Sequence, residues 1–325
     1  MLDRVGNLDQ LAGAVESVVC AGPAAGCRAI DLRAWGGVDV RVLPDRGLDL
    51  GTASFAGLPL AWVSPVGECA PLDAPRDLDW VRRFGGGLMV TCGLRNVGAP
   101  SEGHGQHGEY SHQGARAVRV QRGVHDGEVV LAVHGLISEV SALGDVHLEV
   151  ARTITTRTGR GLVEIVDVTT NRGSDEQAAP LLYHVNLGVP LWDDGSELIL
   201  DARRTVARDE DAEEILSSWR TGPGIVPAAR ERVLEHEVTA DGEGWSHATV
   251  RGAGVEMTVG WDAATLPRMH QWVHPGPGMG VLGLEPANCS VLGRGADRAA
   301  GRLPMLAPGE ARTTRLRIAV RALDA

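Results

Sequence analysis

The chain contains 325 residues with a formal net charge of −11, and all 31 of its lysine-plus-arginine residues are arginines. The absence of lysine excludes Schiff-base aldolases, pyridoxal-phosphate enzymes and the lysine-containing phosphate loop. The sequence has no dense basic run, which argues against a nucleic-acid partner. It also has no stretch near the roughly 20 apolar residues of a membrane span. We expect a partner that is a neutral or weakly charged small molecule.

The five cysteines form no Cys-x-x-Cys pair and are odd in number, which argues against a zinc ribbon and against a disulfide framework. We expect buried free thiols in a reducing cytoplasm. Residues 1–19 carry acids early and contain no long apolar run, so they do not resemble a signal peptide. The sequence therefore predicts a cytoplasmic protein.

Short runs of alternating polarity, separated by glycine-rich turns, follow one another along the chain. Period-two alternation with β-branched residues is typical of half-buried antiparallel strands. It predicts strands at residues 27–33, 38–43, 129–134, 146–156, 162–169, 248–250, 255–261 and 313–320. Short helices are expected only at residues 74–83 and 209–219, the second with an acidic first turn.

Many strands, few helices and no Pro/Ser-rich linker predict an all-β fold, a large β-sandwich that spans residues 1–325 as a single domain. A chain of this length can bury a large core without disulfides or metal. Edge strands of such sandwiches can pair, so a homo-oligomer is compatible with the sequence.

Two glycine-rich segments in the first third of the chain carry arginines. They are LPDRGLDLG (residues 43–51) and FGGGLMVTCGLRNVG (residues 84–98). Arg46 and Arg95 could each fork onto adjacent hydroxyls of a ligand. Ion pairs of arginine with Asp45 and Asp49, which would stabilise the turns, account for the same residues without a ligand. FGGGL lacks the spacing and context of a nucleotide loop.

The segment GHGQHGEYSH (residues 103–112) is dense in histidine and acid: His104, His107, Glu109 and His112. Imidazole and carboxylate suit zinc, iron or manganese. On an extended strand only His107 and Glu109 would share a face, and the glycines indicate a loop. We assign no metal here and keep a metal site as an alternative.

The apolar segment LLYHVNLGVP (residues 181–190) predicts a buried strand that contains His184 and Asn186. A buried imidazole is costly unless it is hydrogen-bonded or used, and a single strand histidine is more often a satisfied core residue. Histidine is also the side chain best suited to move a proton near neutral pH.

Two later segments add further candidates. In MHQWVH (residues 269–274), Gln271 could bind hydroxyls and Trp272 could stack on a sugar ring, although a core tryptophan is the simpler interpretation. In MGVLGLEPANC (residues 279–289), Glu285 follows an apolar run and precedes Pro286. We expect it at a strand end, either solvated or, if partly desolvated, with a raised pKa that suits a base.

Taken in order, seven segments resemble the aldose 1-epimerase (galactose mutarotase-like) superfamily, and most closely a poorly characterised branch of it. They are LPDRGLDLG, LAWVSPVG, GGGLMVTCGLRNVG, HGEYS, LLYHVNLGVPL, QWVH and GLEPANC, and they extend from about Leu43 to Cys289. The resemblance implies a β-supersandwich that binds a sugar in a long cleft and needs no cofactor.

The resemblance also implies residue roles. His184 corresponds to a general acid, Glu285 to a general base and His107 to a second histidine that contacts the sugar. Arg95 and Arg46 are candidates for a substrate-holding arginine. Relatives carry HGRIS where this chain has HGEYS, so Glu109 stands in place of an arginine and changes the polarity of that part of the cleft.

These residues predict mutarotation, in which Glu285 takes the anomeric proton, His184 protonates the ring oxygen, and the sugar ring opens and recloses. We expect the two side chains to face each other across a gap about one pyranose ring wide. Two alternatives stay open: a metal-dependent sugar isomerase or epimerase at the histidine cluster, and a sugar-binding module without catalysis.

Overall fold

A computed structural model describes residues 2–323, which form 21 strands, two α-helices and five short 3-10 helices. The strands are Ala12–Val18 (β1), Arg28–Ala34 (β2), Val38–Leu43 (β3), Asp49–Phe55 (β4), Leu58–Pro59 (β5), Met89–Gly93 (β6), Arg116–His125 (β7), Glu128–Val140 (β8), His147–Arg157 (β9), Arg160–Asn171 (β10), Gln177–Ala178 (β11), Leu181–Leu187 (β12), Glu197–Leu200 (β13), Ala202–Ala207 (β14), Arg232–Val238 (β15), Trp245–Gly252 (β16), Val255–Asp262 (β17), Arg268–His274 (β18), Val281–Ala287 (β19), Met305–Leu306 (β20) and Ala311–Ala322 (β21). The helices are Glu210–Glu213 (α1) and Arg294–Ala299 (α2), and the 3-10 helices are Leu2–Arg4, Leu8–Gln10, Pro44–Arg46, Asp79–Arg83 and Tyr110–His112.

The strands pair into two large antiparallel sheets. The eleven-stranded sheet has the order β1-β2-β3-β4-β6-β12-β19-β18-β15-β14, with β5 added at β4. The eight-stranded sheet has the order β13-β16-β17-β21-β10-β9-β8-β7, and β11 pairs with β20 separately. The predicted all-β sandwich is therefore confirmed, and all eight strand segments predicted from alternation fall on strands of this structure.

Alternation places the main core between the two sheets. In β8, β9 and β10 nearly every second residue is buried, as expected for strands with one face on the core. Strands β12 and β19 are buried at all seven positions. Both of their faces must therefore be covered, and this departure from alternation marks the part of the sheet where the candidate site lies.

A second apolar cluster covers the outer face of the eleven-stranded sheet. This outer cluster consists of Trp62, Trp80, Phe84, Val90, Cys92, Val97, Leu182, Val233, Trp272, Val281, Ala287 and Cys289. Leu182 in β12 belongs to the outer cluster, whereas its neighbours Leu181 and Tyr183 belong to the main core. The alternation along β12 thus divides its side chains between two apolar layers.

Arg152 is the largest charged side chain enclosed between the sheets. Its guanidinium donates to both carboxylate oxygens of Asp167, opposite it on β10, at 2.9 and 2.6 Å. It also donates to the Gly47 carbonyl oxygen at 3.1 Å, in the turn between β3 and β4. Tyr183 of β12 donates to Asp167 at 2.7 Å. A single buried cation therefore links strands of both sheets.

The predicted helices are shorter than expected. Of residues 74–83 only Asp79–Arg83 is helical, as a 3-10 helix, and of residues 209–219 only Glu210–Glu213 is α-helical. Ala74 and Asp77 have positive φ values of 46° and 45°, which are incompatible with a helix over that stretch. The Asp209 side chain caps helix α1 by accepting a hydrogen bond from the Ala212 backbone N–H.

All five cysteines are free thiols, but Cys20 is exposed and Cys27 is partly exposed, whereas buried positions were expected for all five. No helix among residues 2–323 is long and apolar enough to cross a membrane.

Replacing Arg152 by methionine should destabilise the fold strongly. Removal of one partner of a buried ion pair leaves the other, Asp167, uncompensated, which typically costs about 3–5 kcal/mol. Urea denaturation followed by tryptophan fluorescence would measure this loss. The exposed pair of Arg160 with Glu128 provides the control, since Arg160→Met should leave the free energy of unfolding nearly unchanged. An equal effect of the two substitutions would contradict the central role of Arg152.

Candidate active site

His184 and Glu285 lie side by side on the outer face of the large sheet. The register that pairs Leu182 with Ala287 and Val185 with Leu284 places His184 opposite Glu285 on the adjacent strands β12 and β19. Their Nε2 and Oε1 atoms are 3.1 Å apart, and both side chains are at least 95% buried. Two candidates separated by about a hundred residues in sequence therefore form one hydrogen-bonded pair.

Two expectations about this pair are wrong. Glu285 does not end its strand, because β19 continues through Pro286 to Ala287. The fixed φ of proline is compatible with an extended strand, and its missing N–H removes only one ladder bond. The gap one pyranose ring wide is also not there: the two side chains touch each other, so a ligand would lie over the pair rather than between its members.

Gly283 makes room for this contact. A Cβ atom at Gly283 would lie 2.9 Å from Glu285 Oε1 and 3.0 Å from His184 Cε1. Both distances are shorter than normal carbon contacts, so any larger residue here would push against the two side chains. The glycine at this position therefore allows the imidazole and the carboxyl group to lie flat against the sheet and meet.

Aromatic rings form the walls around His184. The centroids of Phe84, Trp272 and Trp80 lie 5.1, 5.3 and 6.3 Å from the imidazole centroid. Phe84 follows the 3-10 helix that contains Trp80, and Trp272 lies on β18 next to Glu285's strand. Aromatic walls exclude water and offer flat faces on which the C–H side of a sugar ring can stack.

His107 joins the same wall from the loop after β6. Its ring centroid lies 4.5 Å from that of Trp80 and 6.2 Å from that of His184. Its Nδ1 accepts from the Gly98 backbone N–H at 3.3 Å, so the ring proton of the neutral imidazole is on Nε2. Burial lowers the pKa of His107 to about 4, which keeps the imidazole neutral at pH 7. Neutral His107 can therefore act as a hydrogen-bond donor toward a ligand.

Burial favours the neutral forms of both members of the pair. It lowers the pKa of His184 to about 3, with a further lowering by His107, and it raises the pKa of Glu285 to about 8, with a further raising by Glu231. At neutral pH the proton therefore lies on Glu285 and His184 is neutral. Transfer of that proton across the 3.1 Å contact gives imidazolium and carboxylate without changing the net charge.

A cavity of about 310 Å³ opens over this pair, and we call it the aromatic cavity. It lies at the lower end of the range for small-molecule pockets. Its lining residues are Leu78, Trp80, Val81, Phe84, Gly98, Ala99, Pro100, Gln106, His107, His184, Arg208, Glu231, Val233, Trp272, Glu285, Val291 and Leu292. A larger cavity of about 540 Å³ lies on the far side of Trp62, whose ring meets Trp272 edge-on at 5.6 Å.

The two arginines expected to hold a substrate do not reach the aromatic cavity. Arg46 is buried beneath it and donates to the Arg83 backbone carbonyl oxygen at 2.9 Å. Arg95 lies 4.0 Å from the carboxylate of Glu139 and does not line the cavity. The prediction that Arg46 or Arg95 holds the substrate therefore finds no support in this cavity, because their side chains point into neighbouring turns.

Asn186 and Gln271 are buried but lie outside the cavity. The Asn186 side chain donates to the carbonyl oxygens of Gly87 and His184, at 3.0 and 2.9 Å, and so fixes the strand. Gln271 belongs to the opposite face of β18 from Trp272 and donates to the Trp219 carbonyl oxygen. Neither side chain lines the aromatic cavity. Of the two residues predicted in MHQWVH, only Trp272 lines the cavity.

The four residues of the histidine cluster point in different directions. His104 Nε2 lies 3.0 Å from the Arg294 guanidinium, and His112 Nδ1 accepts from the Leu72 backbone N–H. Glu109, half-buried with a pKa raised by burial, lies beside Gln113 and outside the aromatic cavity. Within residues 2–323 no three His, Cys, Asp or Glu side chains are placed to hold one metal ion.

The family of the chain follows from its sequence match over most of its length. The family described as Domain of unknown function (DUF4432) matches residues 24–320. The chain belongs to this family. None of the curated proteins with which the sequence was compared matches it.

Solved structures share the fold of this DUF4432 chain at low sequence identity. A proposed aldose 1-epimerase from Klebsiella pneumoniae has a TM-score of 0.89 at 21% identity, over 97% of this chain and 88% of that chain. A galactose mutarotase-like protein from Clostridium acetobutylicum has a TM-score of 0.66 at 11% identity, over 97% and 100%. A proposed aldose 1-epimerase from Escherichia coli K12 has a TM-score of 0.56 at 14% identity, over 96% and 100%. The resemblance to the mutarotase-like fold is confirmed.

Sequence reasoning missed three polar residues of the aromatic cavity in the DUF4432 chain. Arg208 donates to Glu231 at 3.0 Å, and Glu231 also accepts from the Trp272 indole N–H at 3.0 Å. The side-chain oxygen of Gln106 is buried without a hydrogen-bond partner. Arg208 and Glu231 look in sequence like members of an ordinary surface ion pair. The only signal for Gln106 is its position beside His107.

Gly283→Ala should separate the pair without unfolding the chain, because the two nearest groups are ends of side chains and the Trp272 Cβ, at 3.1 Å, has to shift by only a few tenths of an ångström. We expect the pKa of His184 to rise and the pKa of Glu285 to fall toward their ordinary values as the displaced groups reach water. NMR titration of labelled histidine and glutamate would measure both. Gly123→Ala, on a strand where a Cβ meets nothing within 4 Å, is the control. Unchanged pKa values in Gly283→Ala would contradict this role of Gly283.

Proposed function

We propose that the chain is a sugar mutarotase, an isomerase that interconverts anomers by acid–base ring opening. The observation that carries this proposal is the buried contact between His184 and Glu285 at the base of the aromatic cavity. Mutarotation needs one acid and one base next to each other, and these are the only two groups the reaction requires. The mutarotase-like fold is compatible with the proposal, although a fold does not fix a function.

The geometry of the sugar suits a pair in direct contact. The anomeric oxygen and the ring oxygen are bonded to the same carbon, so both can reach a single hydrogen-bonded pair at once. In the ring-opening direction Glu285, as carboxylate, would take the proton of the anomeric hydroxyl, and His184, as imidazolium, would protonate the ring oxygen. Opening leaves neutral His184 and protonated Glu285, and reclosure on the other face of the aldehyde returns both protons.

The number of protons that His184 and Glu285 hold between them matches this cycle. Ring opening starts with imidazolium and carboxylate and ends with neutral imidazole and carboxylic acid, and both states contain one shared proton. The second state is the one that burial favours. Sugar hydroxyls that hydrogen-bond to the pair would stabilise the charged state, because they replace the water that burial removes. The pair is thus suited to passing one proton back and forth.

The remaining polar groups of the cavity would hold the sugar. His107 can donate through Nε2, the unpartnered Gln106 oxygen can accept, and the paired Arg208 and Glu231 offer both donors and acceptors. The positive charge of Arg208 is balanced by Glu231, and the two cavity histidines are neutral. A neutral sugar therefore fits this environment better than a sugar phosphate does.

Glu285→Gln should slow mutarotation by about 10²–10⁴-fold, the usual contribution of one proton-transferring group. NMR exchange spectroscopy on a panel of pure aldoses would measure the rate. Glu139→Gln is the matched control, because Glu139 is also buried with a raised pKa but lies outside the cavity. No acceleration of any sugar by the wild type, with micromolar binding that His184→Ala does not change, would instead favour a binding module.

The rate should also fall at alkaline pH. Below a pH of about 8 the pair holds its shared proton, and above it Glu285 loses that proton, so the pair keeps a base but lacks an acid. We expect kcat/KM to be level near neutral pH and to fall about tenfold per pH unit above the pKa. Glu231 raises the pKa of Glu285, so Glu231→Gln should move the midpoint to lower pH. A profile that rises through pH 8 would contradict the shared-proton scheme.

A further inference from the structure

Large apolar side chains at the rim of the aromatic cavity are exposed to solvent. Leu78, Val81 and Leu292 all line the cavity and are exposed by 59%, 47% and 51%. We call these three residues the apolar rim. Single exposed apolar residues are ordinary, but a group around one cavity mouth indicates a surface that contacts something apolar. A fully hydroxylated sugar offers such side chains little to pack against.

The backbone that carries the rim is well held. A bridge joins Gly98 to Leu292, and the Ala99 N–H donates to the Val291 carbonyl oxygen at 3.1 Å. On the other arm, between Leu78 and Val81 in sequence, Trp80 stacks on Phe84 with ring centroids 4.3 Å apart. The apolar rim is therefore preorganised, which lowers the entropy cost of binding a ligand there.

The charged groups of the cavity, Arg208 and Glu231, lie toward the opposite side, whereas Gln106 and His107 lie in the loop after β6, beside the rim. Arg208 follows β14 and Glu231 precedes β15, at one end of the sheet order, whereas the rim comes from the segment before β6 and from the segment after β19. Strand β18 and the pair of His184 and Glu285 lie between the two groups. The cavity thus has a charged side and a side whose exposed large side chains are apolar, and an occupant that contacts both is amphipathic.

We propose that the occupant is a reducing sugar that carries an alkyl, acyl or aryl group on an oxygen other than the anomeric one. This inference rests on the proposed mutarotation, because the anomeric hydroxyl must stay free to reach His184 and Glu285. The hydroxyls of the ring face Arg208 and Glu231, and the apolar group covers the rim.

Calorimetry with a set of butyl ethers tests this inference. The ligands are glucose and galactose and their 2-O-, 3-O-, 4-O- and 6-O-butyl ethers, titrated into the full chain. Burial of one methylene group improves affinity roughly fourfold, so we expect at least one ether to bind about tenfold or more tightly than its parent sugar. The result that overturns the inference is a set of ethers that bind no better than the parent sugars.

Two variants test whether the preference for an ether depends on the apolar rim. Changing the rim by Leu78→Ser, Val81→Ser and Leu292→Ser together should abolish the preference for the ether over its parent sugar, and a circular dichroism spectrum that matches that of the wild type shows that the chain is folded. Ile225→Ser is the matched control, because Ile225 is 75% exposed and lines the larger cavity beyond Trp62. A preference that persists in the triple variant, or disappears in Ile225→Ser, contradicts the assignment to the rim.

Parallel rate and mass measurements separate the possible failures. Tighter binding of an ether without mutarotation refutes the proposed activity but supports the ligand class. Mutarotation of all sugars with equal affinity supports the activity and refutes the ligand class. Sedimentation distinguishes a third case: a dimer that dissociates in the triple variant, with no preference for ethers, would assign the rim to a second copy of the chain and overturn the inference.

Discussion

The enclosed guanidinium of Arg152 is the interaction on which the frame of the sandwich depends. It joins Asp167 on one sheet to the Gly47 carbonyl oxygen on the other, and Tyr183 completes the carboxylate's hydrogen bonds. Tyr183 precedes His184 on β12. Its hydrogen bond therefore anchors the inner face of the strand at the position next to His184, whose side chain projects from the outer face. A buried charge is tolerated because all its partners are fixed, and those partners fix the strand that carries the candidate acid–base pair.

Several motifs that resemble the mutarotase-like superfamily support this frame rather than a ligand. Gly47, in the LPDRGLDLG turn, packs so closely on Tyr110 of HGEYS that a Cβ would lie 2.7 Å from its ring. Arg46, in the same turn, holds the carbonyl oxygen of Arg83, which precedes the cavity residue Phe84. The order of the motifs along the chain therefore reflects a shared arrangement of turns around the site, and it explains why they indicate the fold more strongly than the substrate.

The strands, and the two residues of the candidate pair, could be predicted because their signals are local. Alternation marks half-buried strands, and polar residues within apolar runs identified His184 and Glu285. The contact between them could not be predicted, because it depends on the register of β12 against β19. Arg208 and Glu231 were missed for a related reason. Each looks like an ordinary charged residue in the sequence, and only the order of the strands in the sheet places it at the cavity. The prediction of a helix over residues 74–83 was wrong for most of its length because Ala74 and Asp77 adopt turn conformations that composition does not reveal.

Gly283 gives a criterion for reading other sequences of this fold. A histidine and a glutamate can each persist in a relative for structural reasons, so their presence alone says little about chemistry. The glycine two positions before the glutamate is more informative, since a side chain there would press first on the two groups where they touch and then on Trp272. Relatives that keep Gly-x-Glu together with the histidine should share the contact between the two side chains. Relatives that keep the glutamate but carry a larger residue in place of the glycine should lack this contact while retaining the sandwich.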